Sequence, residues 1–228
     1  AKLRLYQDFL ENMLYDPSGL PNENALDLSG TRYIVLPQPL PGTTVAFQDD
    51  QNRQLVLERD NARPRSVLIG NVTQLEPGEP TYAAVRSPSF DPARDAILNE
   101  SVETTFTAVD STSVARVELA EYGPREMVWT VETDATRLLV TSEVYYPPGW
   151  TATVDGTETD ILRVNHLFRG VVVPAGAEQV VMRFDPQSHS RGLWISWIAS
   201  LLAYGFVFGG RQLLARRAKT ANEPENVA

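Results

Sequence analysis

Cysteine is absent from this chain. Its absence excludes disulfide staples, thiolate catalysis, zinc–thiolate sites and iron–sulfur clusters. Histidine is scarce: His166 and His189 are the only two, which leaves little room for a multi-histidine metal centre. Basic residues are outnumbered, 20 Lys and Arg against 29 Asp and Glu, for a net charge of −9. Nonspecific nucleic-acid binding needs clustered cations to neutralise phosphates, so no nucleic-acid partner is expected. The sequence holds no Walker loop, dinucleotide fingerprint, nucleophile elbow or HExxH, so no cofactor, no metal and no recognisable catalytic residue is expected. What remains is ordinary for folded protein, 43% hydrophobic and 21% charged over 228 residues, enough for one large domain or two modest ones. Beginning at Ala1 with neither an initiator Met nor a signal peptide, the chain reads as a piece of something longer.

The net charge hides an asymmetry. Residues 1–190 carry 15 Lys and Arg against 27 Asp and Glu, a balance of −12, whereas 211–228 balance at +2. Between them GLWISWIASLLAYGFVFGG, residues 192–210, has no charge. At about 1.5 Å per residue these nineteen would reach roughly 28 Å, close to the ~30 Å hydrocarbon layer. The run predicts a transmembrane helix over 192–214, the alternative being a buried soluble helix. Arg211, Arg216, Arg217 and Lys219 follow it and only Arg191 immediately precedes it. The positive-inside rule then puts the disordered tail, 215–228, in the cytoplasm and 1–190 outside. Trp194 and Trp197 suit an interfacial belt. Ser196 with Ser200, and Gly205 with Gly209, form small-xxx-small pairs that allow other spanning helices to approach.

The outer part reads as two units. Residues 1–100 suggest a small α+β unit. An amphipathic helix over 1–15 carries Tyr6, Phe9, Leu10, Met13 and Leu14 on one face. A helical turn over 22–28 ends near Gly30, and strands follow at 33–36, 44–48, 54–58, 66–72 and 82–85, with a short helix at 91–98. Residues 101–188 suggest an all-β sandwich or jelly roll, with strands at 114–119, 127–132, 138–145, 150–154, 161–165, 170–173 and 179–184. Asp155-Gly156 signals a hairpin, because both residues tolerate positive φ.

Candidate chemistry is sparse. Glu143 lies on a strand beside Tyr145, Tyr146 and Trp150, and a carboxylate among aromatic rings is one way to hold a sugar. Core and corner packing around Pro147-Pro148-Gly149 is the competing reading. Asp49-Asp50 with Asn52 resembles part of a calcium loop but lacks its Gly and distal Glu, so a solvated turn is the simpler reading. Asn165, His166 and Arg169 form a compact polar group that suits a strand edge or, alternatively, a phosphate or partner loop. His189, just ahead of the hydrophobic run, suits the interface. Asn71-Val72-Thr73 and Asn99-Glu100-Ser101 fit the glycosylation sequon.

Taken in order, several blocks resemble the C-terminal region of YfhO-like bacterial membrane proteins. They are AKLRLYQDFLEN (1–12), ALDLSGTRYIVL (25–36), NARPRSVLIGNV (61–72), LLVTSEVYYPPGWTATVDG (138–156) and RVNHLFRGVVVPAG (163–176), followed by the hydrophobic run. The resemblance implies a many-pass protein of the cytoplasmic membrane, similar to GT-C glycosyltransferases that use polyprenyl-phosphate-linked sugars. This chain would then be its noncatalytic extracytoplasmic domain plus last spanning helix. Its implied partners are membrane lipid, the remaining helices of the parent protein, and an envelope glycan or lipid-linked sugar. The acidic catalytic residue of GT-C enzymes lies near the N-terminal helices, and nothing here corresponds to it. The alternative is a single-pass, membrane-anchored module binding carbohydrate or protein.

Overall fold

The computed structural model describes residues 4–15, 19–186 and 192–206. Helix α1 (Arg4–Asn12) turns its apolar face inward, and Phe9 is buried with Met13 just beyond the helix end. Helix α2 (Glu23–Leu28) begins where the Asn22 side chain accepts the Ala25 N–H, and it ends at Ser29 before left-handed Gly30. Strands β1 (Tyr33–Leu36), β2 (Thr43–Asp49) and β3 (Gln54–Arg59) form an antiparallel sheet in the order β1-β3-β2. Buried Arg59 ties this sheet to α2, donating to Glu23 at 2.6 Å, Asp27 at 2.7 Å and the Thr31 carbonyl at 2.9 Å.

Three elements depart from the sequence reading. The stretch 66–72 divides at Gly70 into β4 (Ser66–Ile69) and β5 (Asn71–Gln74). There the backbone of Thr107 crosses so closely that a Cβ on Gly70 would sit 1.6 Å from its carbonyl oxygen. Residues 82–85 belong to helix α3 (Glu79–Arg86), with Pro80 in its first turn and Tyr82 and Val85 on one buried face. The i, i+3 spacing of Tyr82 and Val85 and the proline that opens the segment favour a helix over the short strand expected at 82–85. The helix expected over 91–98 is strand β6 (Asp95–Leu98), whose Ala96, Ile97 and Leu98 are all buried. A short apolar run buried on both faces has no alternation to distinguish it from a helix.

Two larger sheets carry the rest. Strands β7 (Ala115–Tyr122), β8 (Glu126–Thr133), β10 (Trp150–Val154), β11 (Thr157–Thr159) and β14 (Gln179–Phe184) form an antiparallel sheet in the order β11-β10-β14-β8-β7. Strands β9 (Arg137–Val144), β12 (Leu162–Val164) and β13 (Phe168–Val173) join β4, β5 and β6 in the order β4-β9-β13-β12-β6-β5. Only the β5–β6 pairing in this second sheet is parallel. The sheets face each other across Met127, Trp129, Val131, Val180 and Met182 on one side and Leu68, Leu139, Val171 and Val173 on the other. Each such side chain contributes roughly 1.5–3 kcal/mol by leaving water. The opposite face of the second sheet packs Ile69, Leu98, Leu138, Val140 and Val164 with Val102 and Phe106. Asp155 and Gly156 both take positive φ, making the tight turn between β10 and β11.

The division expected at residue 100 does not divide the core. Residues 1–185 form one compact unit, because β4, β5 and β6 are hydrogen-bonded into the same sheet as β9, β12 and β13. Residues 186–228 form a second unit, of which 192–206 is helix α4. Its Leu193, Trp194, Ile195, Trp197, Ile198, Leu201, Leu202, Tyr204 and Phe206 are exposed. Among the described residues, no helix is long and apolar enough to cross a membrane. The remainder of the expected span (207–214), the tail (215–228), Gly209 and His189 lie outside the described residues.

Candidate functional site

At the end of β9 the backbone alternation puts Thr141 and Glu143 on one face, and Arg169 of β13 pairs with Thr141. Glu143 is half-buried and accepts from Arg65 at 2.7 Å. Arg65 in turn donates to the Tyr122 hydroxyl at 3.3 Å and lies 5.0 Å from the centre of that ring. Arg169 is buried, with its guanidinium carbon 4.0 Å from the centre of the Trp150 ring and its Nε donating to the Val144 carbonyl at 2.8 Å. Burial pulls the Arg169 pKa down to about 10, against the opposing fields of Glu143 and Tyr122. Phe184 packs against Trp150, with ring centres 5.3 Å apart.

Arg169 therefore relates Glu143 and Trp150: it lies against the Trp150 ring and within the field of Glu143. Tyr145 turns elsewhere. Its N–H donates to the Leu167 carbonyl at 2.6 Å, and burial followed by Glu100 raises its phenol pKa. Tyr146 is exposed and its ring is open to solvent. Of the aromatic residues near Glu143 it is the one free to stack on a sugar, whereas Trp150 already carries a cation against its ring. Arg65 and Tyr122, which complete the polar surface around Glu143, come from β-strand edges distant in sequence. No motif or spacing links them to Glu143.

The second polar group does not stay together either. Arg169 faces Trp150, His166 turns toward α1 and α3, and Asn165 bonds to β6. Asn165 and His166 both hold left-handed backbone, with φ of +49° and +70°. Asn165 brackets β6: its side-chain oxygen accepts the Ile97 N–H at 2.8 Å and its own N–H donates to the Ile97 carbonyl at 2.7 Å. The His166 N–H donates to Asn99 Oδ1 at 2.7 Å, and Asn99 Nδ2 donates to Thr81 Oγ1 at 2.7 Å and to the Leu75 carbonyl at 3.2 Å. The buried imidazole meets the Tyr82 ring edge-on at 4.8 Å, with Asp8 3.9 Å away. Burial first, then Arg163, lower its pKa, while Asp8 and the Leu5 carbonyl oppose them. These are the contacts of a neutral, structural histidine.

The remaining sequence candidates resolve simply. Asp49 accepts the N–H groups of Gln51 and Asn52 and the Asn52 side-chain amide at 2.7 Å, closing the β2–β3 hairpin. Among the described residues there is no group of three or more metal-ligating side chains. The Asn99 sequon is blocked by burial and by those amide bonds, whereas Asn71 is exposed and bonded to Asp95. On α4, Ser196 and Ser200 are exposed one turn apart, and a Cβ on Gly205 would meet open space.

Residues 95–196 match the family model described as "Bacterial membrane protein YfhO". The matched segment is a YfhO-like region. It runs from the start of β6 through all the strands that follow and ends inside α4. The motif-rich blocks at 138–156 and 163–176 fall inside the YfhO-like region, and the blocks at 1–12, 25–36 and 61–72 precede it. Two solved structures are also similar: cryo-EM structures of arabinofuranosyltransferase AftD from Mycobacteria and of a mutant of it. Each is 28% identical with a TM-score of 0.27 and covers 53% of this chain. This chain spans only 8% of the first of those chains and 9% of the second. No curated protein matches.

Proposed function

We propose that residues 1–190 are the noncatalytic extracytoplasmic domain of a YfhO-like membrane glycosyltransferase, held by a spanning helix at 192–214 with the tail in the cytoplasm. The family match carries this reading, because it covers β6 to β14 and continues without a break into the start of the uncharged run. The charge asymmetry supports the orientation. The polyprenyl-phosphate-sugar chemistry belongs to the resemblance, and this domain would guide an acceptor glycan or lipid carrier to helices upstream. Ser196, Ser200, Gly205 and Gly209 would face those helices.

Because the chain lacks cysteine, topology can be read with single introduced thiols. In intact cells, Tyr146→Cys reacts with a membrane-impermeant maleimide, and Lys219→Cys reacts only after permeabilisation. The reverse pattern overturns the orientation.

Glycan contact is assigned to the surface of Glu143 and Tyr146, with Tyr146 as the stacking ring and Trp150, packed on Arg169, as its support, while Tyr145 turns toward Glu100 and takes no part. Tyr146→Ala is expected to weaken glycan binding at least ~10-fold in titration without lowering Tm. Unchanged binding removes the surface from the assignment.

A further inference from the structure

A cavity of about 470 Å³ opens between α1, β1 and the end of β9. Its walls are mostly apolar, including Leu10, Leu14, Ile34, Leu36, Val144 and Phe168, with the hydroxyls of Ser29, Thr31 and Ser142 among them. No Asp, Glu, Lys, Arg or His lines it, and its polar atoms come from hydroxyl groups and backbone. Tyr6, Tyr15 and Tyr33 stand at the mouth, 41–50% exposed. The volume lies within the ~300–1,000 Å³ of small-molecule sites. At roughly 30 Å³ per water-sized group it accommodates about sixteen methylenes. Tyrosines with an apolar body and a polar tip suit a mouth where hydrocarbon meets water. An uncharged lining offers no counter-ion to an anionic or cationic ligand.

We infer that this cavity binds a single hydrocarbon chain of a membrane lipid, with the polar head left outside at the tyrosine mouth. The inference rests on the reading that this chain works at a membrane, which is where such a ligand is abundant. It assigns a second binding surface, apart from Glu143 and Tyr146. No charged group lines the cavity itself, so selectivity inside it is for chain length. Outside the mouth the Arg32 guanidinium, paired with Glu58, lies 5.6 Å from the centre of the Tyr33 ring.

The test uses the full chain in amphipol with a palmitate analogue carrying a diazirine near its methyl end, followed by mapping of the photo-adducts. Adducts are expected within 6–14 or 33–36, in addition to any on 192–206. Val35→Glu and Tyr33→Glu change exposed residues of the mouth, so the fold is retained. They reduce the cavity adducts at least ~10-fold and leave those on 192–206 unchanged. Phe47→Glu, on the same sheet but outside the cavity, changes neither. Unlabelled fatty acids from eight to eighteen carbons compete with affinity rising about fourfold per methylene, the equivalent of ~0.8 kcal/mol, and levelling off near sixteen. Absence of cavity adducts, or adducts insensitive to Val35→Glu, overturns the proposal. So does displacement by an extended Val/Thr peptide but not by fatty acids, which would make the free edge of β1 a strand-docking site instead. The topology is read separately by thiol labelling, so failure of either conclusion leaves the other standing or falling on its own data.

Discussion

His166 shows how one side chain couples this fold to pH. Its folded-state pKa lies below the ordinary 6.5, chiefly because burial penalises the imidazolium. Above that value the residue is neutral whether the chain is folded or not. Below it the unfolded chain takes up the proton first, so stability declines as pH falls from about 6.5. Thermal melts between pH 7 and 5 should show Tm falling in the parent and a shallower decline in His166→Asn, which keeps a residue tolerant of left-handed backbone. Equal slopes would mean that His166 is not the group responsible. Asp110 acts in a lower window: hydrogen bonds from Thr112 and Ser113 hold its pKa near 2, so its contribution is lost only as pH falls below the usual 3.8. The sequence identified His166 as part of a polar group, but not its burial. Its neighbours Asp8, Tyr82 and Asn99 come from elements that only the tertiary fold assembles.

At the scale of elements, Gly70 is the most constrained junction. Its missing side chain allows the 102–108 segment to cover the second sheet, with Val102 and Phe106 packed over Ile69 and Leu98. Gly70→Ala places a methyl group against backbone that cannot swing aside, and the expected cost is about 3 kcal/mol or more in denaturant unfolding. Gly156→Ala meets open space and bears only the strain of φ +80°, so its cost should be about 1–2 kcal/mol. A loss below 1 kcal/mol at Gly70 would show that the crossing relaxes easily. Strands such as Trp150–Val154 and Gln179–Phe184 were legible because apolar and polar residues alternate along them, and the Asp155-Gly156 turn signal ends the first. Helix α3 and strand β6 were not. Each is a short apolar stretch, and its partners decide which period it adopts.

For the whole molecule, the consequence is indivisibility of residues 1–185. The change near residue 100 from mixed helix and strand patterns to strand patterns alone suggested two units, but the hydrogen-bond ladder joins β6 to β12 across it. A fragment of 101–228 lacks three of the six strands of the second sheet, and it should be expressed as insoluble or molten material. Sharp, dispersed NMR amide signals from that fragment would contradict this. The candidate site has the same character: Glu143 and Trp150 were visible as a local cluster, whereas Arg65 and Tyr122 reach it only through sheet edges.

The pairing of β4 with β9 and of β6 with β12, each joining strands from opposite halves of the chain, also sets the timing of assembly, with β5 added in parallel outside β6. As the chain emerges from a ribosome or a secretion pore, β4 to β6 must wait for β9, β12 and β13. During that interval their unsatisfied edges invite mispairing, and closure over such sequence separations is slow. A holdase that masks nascent β-edges should therefore raise the yield of this domain more than a catalyst acting after synthesis is complete.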